Sequence, residues 1–401
     1  MDPVRNPYAP GAGQRPPELA GREAELASFD VVLERVSRGR PERSIVLTGL
    51  RGVGKTVLLN AMRSTAVRRG WGTGKLEARP DQSLRHPLAG ALHVAVRELG
   101  PSDGTAHVLG VIKSFAQRES RVTGSKPTAA RLRDRWQPGI DVPAIAGRAD
   151  SGDVEIDLVE LFTDVAGLAA DTGRGIAVFI DEMQDLGPAD VSAICAACHE
   201  ISQRGLPLVV VGAGLPHLPA VLSASKSYSE RLFRYARIDR LDRAAHERAL
   251  RLPAKDEGAD FTDEALEAMF EATGGYPYFV QAYGKTAWDV APGTPITDAD
   301  VAVAAPEAEA ELAVGFFGSR YERATTAERE YLRAMAELAD PTTPDESVAT
   351  AAIADHLGRA AQSLSPARDG LLKKGLVYSG QRGRIAFTVP HFGRYLRLRE
   401  E

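Results

Sequence analysis

Residues 43–60 read Arg43-Ser-Ile-Val-Leu-Thr-Gly-Leu-Arg-Gly-Val-Gly-Lys-Thr-Val-Leu-Leu-Asn60. An apolar run, a glycine-rich turn and a helix start follow one another here. Ile45, Val46 and Leu47 are expected to form a buried parallel strand. Gly49, Leu50, Arg51, Gly52, Val53, Gly54, Lys55 and Thr56 fit G-x-x-x-x-G-K-[ST], the phosphate-binding P-loop. Glycines let successive backbone N–H groups turn inward onto phosphate oxygens. The helix that follows offers its N-terminal amides and dipole to the same anion. Lys55 can reach the β- and γ-phosphates, and the Thr56 hydroxyl can ligate Mg²⁺. An ordinary glycine turn would explain the glycines, but not the succession of strand, loop, Lys-Thr and helix.

The chain around this stretch has 401 residues, enough for two or three domains, and its apolar fraction of 44% supports a sizeable core. Forty-nine basic against 54 acidic residues leave a net charge of −5, so no whole-chain field draws it to nucleic acid or membrane. Two cysteines give no disulfide framework. No stretch approaches the ~20 apolar residues of a membrane span. The first residues lack the hydrophobic core of a secretion signal, so the expected location is cytoplasmic. Residues 1–18, rich in proline and glycine, read as an extended lead-in and not a folded unit.

Residues 23–36 have helical apolar spacing at Leu26, Phe29, Val32, Leu33 and Val36. A second strand is expected over Lys75–Arg79, with helices over 87–99, 105–117 and 155–171. Residues 119–153 lack periodicity and read as a loop, with room for a hairpin near 140–145. Residues 175–185 then give Gly-Ile-Ala-Val-Phe-Ile-Asp-Glu-Met-Gln-Asp, an apolar run ending in Asp181-Glu182. Such a strand carries its carboxylates to the sheet's carboxyl edge, where ligands bind in open α/β folds. Downstream of a P-loop this is the Walker B form: Asp181 to hold Mg²⁺, Glu182 to orient and deprotonate the attacking water. Gln184 and Asp185 read as surface groups beside the nucleotide mouth. A helix over 190–204, a strand over 206–211 and a fifth strand over 236–241 complete an alternating α/β pattern, hence a parallel sheet covered on both faces. After Asp242 the strands vanish, with helices expected over 244–252, 262–272, 276–290 and 297–317. Residues 376–389 read as a hairpin with Gly380–Gly383 at its tip.

P-loop, Walker B, helical lid and a closing helix–helix–hairpin module together resemble the AAA+ and STAND-type ATPases, most of all the origin-recognition-like (initiator-type) ones with a C-terminal winged helix. The residues carrying the resemblance are Gly21-Arg22-Glu23, Gly49–Thr56, Ile180-Asp181-Glu182, residues 211–216 and Gly274-Gly275-Tyr276-Pro277. It spans about residues 18–400. It implies a P-loop NTPase fold with strand order 5-1-4-3-2. It also implies ATP and Mg²⁺ as ligands, and an adenine pocket between the Gly21 region and the lid, with Pro277 on the lid side. The implied division is a lead-in (1–18), an ATPase core (19–241), a helical lid (242–320) and a winged-helix domain (321–401). Two features depart from the family pattern. The fourth strand runs into Gly212-Ala213-Gly214 instead of a polar sensor, and the lid helix has Pro277 but no arginine.

Arg231, Arg234 and Arg237 precede the fifth strand, where such ATPases place an arginine finger; Arg231 is the first candidate, against a solvated helix end with salt bridges. Cys195-Ala-Ala-Cys198-His199 has the haem-attachment spacing, but it lies on the apolar face of a helix and reads as packing. In the C-terminal module, 348–357 and 363–374 read as positioning and recognition helices. Residues 359–399 hold nine basic residues against one acidic, whereas 320–358 hold four against eight. That asymmetry is the footprint of phosphate contact and points to duplex DNA; the rival is a module that docks on protein. The expected function is an ATPase of low turnover, with Lys55, Glu182 and Arg231 at the chemistry, able to form homo-oligomers. A non-hydrolysing nucleotide switch and a P-loop kinase are the alternatives.

Overall fold

A computed structural model describes residues 1–11, 13–122, 142–340, 347–389 and 391–399. In the core, α1 (Glu23–Ser37) leads to β1 (Ser44–Thr48), the P-loop and α2 (Lys55–Arg68). β2 (Gly72–Glu77), α3 (Arg85–Glu98), α4 (Thr105–Val122) and α5 (Val154–Asp171) follow. Next come β3 (Ile176–Asp181), α6 (Pro188–Arg204), β4 (Leu208–Gly214), α7 (Leu218–Ser225), α8 (Ser229–Leu232) and β5 (Phe233–Arg237). The strands are parallel and lie in the order β5-β1-β4-β3-β2. β1, β3 and β4 are buried along their whole length because helices cover both faces. Alternate residues serve the two sides. Phe179 and Val211 pack with Phe29, Leu33 and Leu59 of α1 and α2, while Val178 and Val210 pack with Leu92, Phe162 and Ile194. Cys195 and Cys198 are buried and unbridged in that second cluster, as packing residues.

Several expected boundaries move. β5 is Phe233–Arg237, not 236–241. It is an edge strand, paired only with β1, and an edge tolerates Arg234 and Arg237 where an apolar run was sought. β2 begins at Gly72 instead of Lys75, because α3 crosses so closely that a Cβ at Gly72 would stand 2.3 Å from the Ala95 carbonyl oxygen. Glycine there marks a close approach and not a turn. The hairpin expected near 140–145 begins outside the described residues; from 142 to 153 the described chain is irregular.

The first residues are not a loose lead-in. Pro3–Arg5 form a 3₁₀ turn and the Tyr8 ring is buried against Phe261 and Trp288. Tyr8 Oη donates to the Leu250 carbonyl at 2.5 Å, and Trp288 Nε1 donates to the Asp2 carbonyl at 2.9 Å. One aromatic anchor outweighs the proline-rich composition around it.

The segment expected to form the lid consists of α9 (Arg243–Asp256), α10 (Asp263–Thr273), α11 (Pro277–Val290) and α12 (Asp298–Glu311), the last begun by a Thr297/Asp300 capping box. The single helix expected over 297–317 is interrupted: Leu312–Gly318 forms a π-helical stretch before the short α13 (Ser319–Tyr321). The C-terminal module contains α14 (Thr326–Leu338), β6 (Val348–Ala349), α15 (Thr350–His356), α16 (Ala361–Lys373), β7 (Val377–Tyr378), β8 (Arg384–Phe387) and α17 (Phe392–Leu398). Its strands form a small sheet ordered β6-β8-β7, with β8 antiparallel to both neighbours. Lid and module share one apolar cluster, with Phe279, Phe317, Leu332, Phe387 and Phe392 in it. Among the described residues no helix is long and apolar enough to cross a membrane.

Candidate nucleotide site

β1 delivers the loop, and Gly54, at φ 89°, makes the left-handed turn into α2 that a side chain would strain. Lys55 is 7% exposed; its Nζ donates to the carbonyls of Gly49 (2.9 Å) and Leu50 (2.8 Å). Burial pushes its pKa down to about 8, against the opposing pull of Glu182. Thr56 Oγ1 donates to Asp181 Oδ2 at 2.8 Å, so the two expected metal ligands are already side by side.

Glu182 follows directly, in a left-handed conformation with φ 49°. Both its carboxylate oxygens are engaged: Arg51 Nη1 donates to Oε1 at 3.1 Å and Gln184 Nε2 donates to Oε2 at 2.7 Å. Gln184 Oε1 in turn accepts from the Leu215 amide at 3.1 Å. Gln184 is therefore no surface group. It ties the Walker B carboxylate to the end of β4, the place where the sequence offered only Gly-Ala-Gly. Burial, then Glu182, pushes the Asp185 carboxyl up.

These groups face a cavity of about 370 Å³. Arg51 through Thr56, Glu182 and Pro277 line it, together with Tyr278, Phe316 and Arg320 from beyond the core and Pro10, Gly13 and Gln14 from the N-terminal segment. Gly49 and Leu50 act from behind, through their carbonyls on Lys55. The lid reaches the loop where the Tyr278 amide donates to the Gly52 carbonyl at 3.3 Å. Arg22 steadies it from the other side, donating to the carbonyls of Val53 (3.2 Å) and Asp239 (2.6 Å). Arg231 is not brought to the site; it is exposed on α8. Arg234 donates to Ser28 Oγ, and Arg237 pairs with Asp239. The contributions of Arg320, Tyr278 and the N-terminal segment had no signal in the sequence. That of Gln184 had a faint one, its spacing two residues after the glutamate.

The C-terminal module sits on the loop. The Arg51 amide donates to the Thr388 carbonyl at 2.8 Å, and the Arg51 guanidinium packs on Gly375. His217, after β4, stacks on Tyr378 of β7 with ring centroids 6.1 Å apart. Much of the basic C-terminal charge is spent internally. Arg359, Lys374 and Arg394 pair with Glu330, Glu328 and Glu309, and Arg368 with its neighbour Asp369. Arg384 bonds Ser347, Arg397 the Ala336 carbonyl, and Arg399 lies over Tyr321. Lys373 and Arg382 remain exposed, in no ion pair among the described residues.

Residues 18–211 match the family model described as AAA ATPase domain, and residues 314–396 match one described as a domain of unknown function (DUF8462). The first match places an AAA+ P-loop ATPase domain in this chain. No curated protein matches it in sequence. Among solved structures, the Walker-type ATPase PABY2304 of Pyrococcus abyssi is similar at a TM-score of 0.58 and 16% identity, over 96% of this chain and 97% of that one. At that identity the likeness is one of fold. The ORC1 protein of Aeropyrum pernix in complex with DNA gives 0.46 and 14%, over 95% and 93%. Cdc6p of Pyrobaculum aerophilum gives 0.44 and 15%, over 99% and 97%.

Proposed function

We propose that this chain is a STAND-like AAA+ nucleotide switch that hydrolyses ATP slowly to ADP and phosphate, and whose nucleotide state governs how its C-terminal module, read as a winged helix, sits on the P-loop. One observation carries the reading: Arg51, inside the P-loop, holds Glu182 with its side chain and Thr388 of the module with its amide. Lys55 lies under the cavity as the cation for the β- and γ-phosphates, once those oxygens replace the carbonyls of Gly49 and Leu50. Thr56 Oγ1 and Asp181 form an oxygen pair of the hard type that Mg²⁺ takes, so the donor set fits the ion. When bound, the ion would neutralise phosphate charge. Glu182 takes the proton of the attacking water only after Arg51 gives up its carboxylate, which is the reason for assigning low turnover. Arg231, exposed and off the cavity, can serve only a nucleotide held by another subunit of a homo-oligomer; turnover per subunit that is independent of protein concentration would remove that role.

The test is phosphate release from Mg·ATP by the full chain. Glu182→Gln is expected to keep ATP affinity and lose roughly 10²- to 10⁴-fold in turnover, the span of a general base. Lys55→Ala is expected to lose ATP binding itself. Wild-type turnover in the first variant and wild-type affinity in the second would together dismiss the site.

A second reading has support from Lys373 and Arg382. Two exposed cations in no ion pair among the described residues, one at the end of α16 and one in the β7–β8 hairpin, suit duplex phosphate contact of modest strength.

A further inference from the structure

We infer that the chain holds a second ligand cavity, back to back with the nucleotide cavity, which takes a small aromatic carboxylate and through it tightens nucleotide binding. The cavity does not depend on the nucleotide-switch reading; only its effect on the nucleotide rests on that reading.

This cavity has a volume of about 410 Å³ and lies between α11, α12, the π-helical stretch and α17. That is the size of a small-molecule site. Its apolar lining is buried: Phe279, Leu312 and Phe317 from the helices, with the Tyr283 ring beside them. Phe317 stacks on Tyr395 of α17, with ring centroids 5.1 Å apart and planes 22° from parallel, so one wall is flat and aromatic. Charge is confined to exposed lining residues, namely Glu309, Arg394 and Arg399. An apolar interior with a few polar groups at its mouth is the build of a ligand pocket. The backbone agrees, since π-helical turns are rare and gather at functional sites. Here Leu312, Ala313 and Phe317 of that turn all face the cavity.

The charge at the mouth selects an anion. Glu309 Oε1 accepts from Arg394 Nη2 at 3.1 Å and from Tyr283 Oη at 3.3 Å, so its charge is met within the lining. Arg399 has no such partner. It donates to Tyr395 Oη at 2.8 Å and lies 4.5 Å from the Tyr321 ring centroid, but it enters no ion pair among the described residues. One guanidinium is therefore in excess. A ring seated against Phe317 can bring a carboxylate to it, and the planar fork of arginine suits carboxylate oxygens. A cationic ligand would meet two guanidiniums instead.

The two cavities share no lining residue but share their partition. α11 gives Tyr278 to the nucleotide cavity and Phe279 to this one; the π-helical stretch gives Phe316 to the first and Phe317 to the second. The rings touch across it: Phe316 lies 5.6 Å from Phe279 and 5.4 Å from Phe317, centroid to centroid. On the far side the Tyr278 amide donates to the Gly52 carbonyl. A ligand packed on Phe279 and Phe317 thus fixes from behind the wall that a nucleotide meets from the front. The second ligand then has less left to order, and the coupling is reciprocal.

The test is calorimetric titration of the full chain with 2-naphthoate and with its uncharged counterpart 2-naphthamide. We expect one saturable site, with the carboxylate bound roughly tenfold more tightly or better, the range for a charge-assisted hydrogen bond. Arg399→Gln should remove that advantage and leave the amide within about twofold of its wild-type affinity. Ala313→Phe, which fills the cavity from the π-helical side, should abolish binding of both; Ala310→Trp is the substitute if that variant loses its native melting transition. No saturable binding of 2-naphthoate, equal affinity for the two compounds, or 2-naphthoate binding untouched by Arg399→Gln overturns the inference. Mg·ADP is then titrated with and without saturating 2-naphthoate, and its affinity should rise about fivefold or more. Unchanged or weakened ADP affinity removes the coupling. A chain that binds 2-naphthoate but no nucleotide keeps the cavity and loses the nucleotide reading.

Discussion

Arg51 Nη1 stands 3.1 Å from Glu182 Oε1, while the amide of the same arginine donates to the Thr388 carbonyl at 2.8 Å. The glutamate expected to activate water and the hairpin of the C-terminal module are therefore held by one residue of the P-loop. With both side chains only about a quarter exposed, at 26% and 24%, the ion pair is screened but not free in solvent. Its worth is of the order of 1 kcal/mol, about fivefold in a rate.

Arg51→Ala is accordingly expected to raise basal ATP turnover about three- to tenfold by freeing Glu182. Hydrogen exchange should speed up across residues 375–389, where the side chain packs on Gly375. Phosphate release and exchange are measured on the same protein. A fall in turnover would mean that Arg51 serves the phosphates and does not restrain the base.

Lys55 sets the pH dependence. Its pKa in the free protein is about 8, lowered by burial, and phosphate oxygens beside it must raise that value. Below pH 8 the ammonium is already charged and binding is at full strength. Above pH 8 the free protein must take up a proton to bind, so ATP affinity should fall about tenfold per pH unit until the pKa of the complex is reached. Calorimetry at pH 9 in buffers of different ionisation enthalpy should report close to one proton taken up, and almost none at pH 7. Equal uptake at both would place the ammonium's pKa elsewhere.

Tyr8 tests whether the N-terminal segment belongs to the fold. It is 3% exposed, and its hydroxyl is bonded to Leu250. Tyr8→Ala should cost about 3 kcal/mol and Tyr8→Phe about 1 kcal/mol in denaturant unfolding. An alanine variant within 0.5 kcal/mol of wild type, roughly, would return the segment to the status of a loose leader.

Exposed, unpaired charge limits what duplex DNA can gain. If Lys373 and Arg382 each neutralise one phosphate, log affinity of the full chain should fall against log salt with a slope near −1.8, at about −0.9 per contact. Substituting both by alanine should bring the slope close to zero. A slope steeper than about −4 would require the internal pairs, such as Lys374–Glu328 and Arg394–Glu309, to open on DNA.

Legibility in the sequence followed locality. The P-loop and the Asp181-Glu182 strand are contiguous patterns whose chemistry constrains neighbouring residues, so they could be read directly. β2 and β5 were displaced because their signals lay in partners: α3 crossing over Gly72, and β1 giving an edge position to an arginine-bearing strand. The Pro/Gly composition of residues 1–18 carried no sign of attachment, since Tyr8 finds its pocket among residues more than 240 positions away.

Sequence alone specified the glycine-rich turn after β1 and the Asp181-Glu182 pair at the end of β3, beyond β4 in the sheet, because glycine spacing and apolar runs act over a few residues. Only the tertiary structure decided what restrains those carboxylates. Gln184 turns back to Glu182, Arg51 bridges Glu182 to Thr388, and Arg320 arrives from the lid–module junction. Thr388 lies more than 250 positions from Arg51, and Arg320 more than 250 from the P-loop residues whose cavity it lines; both relations follow from how the lid and module share one apolar core, a property of packing that no local pattern encodes.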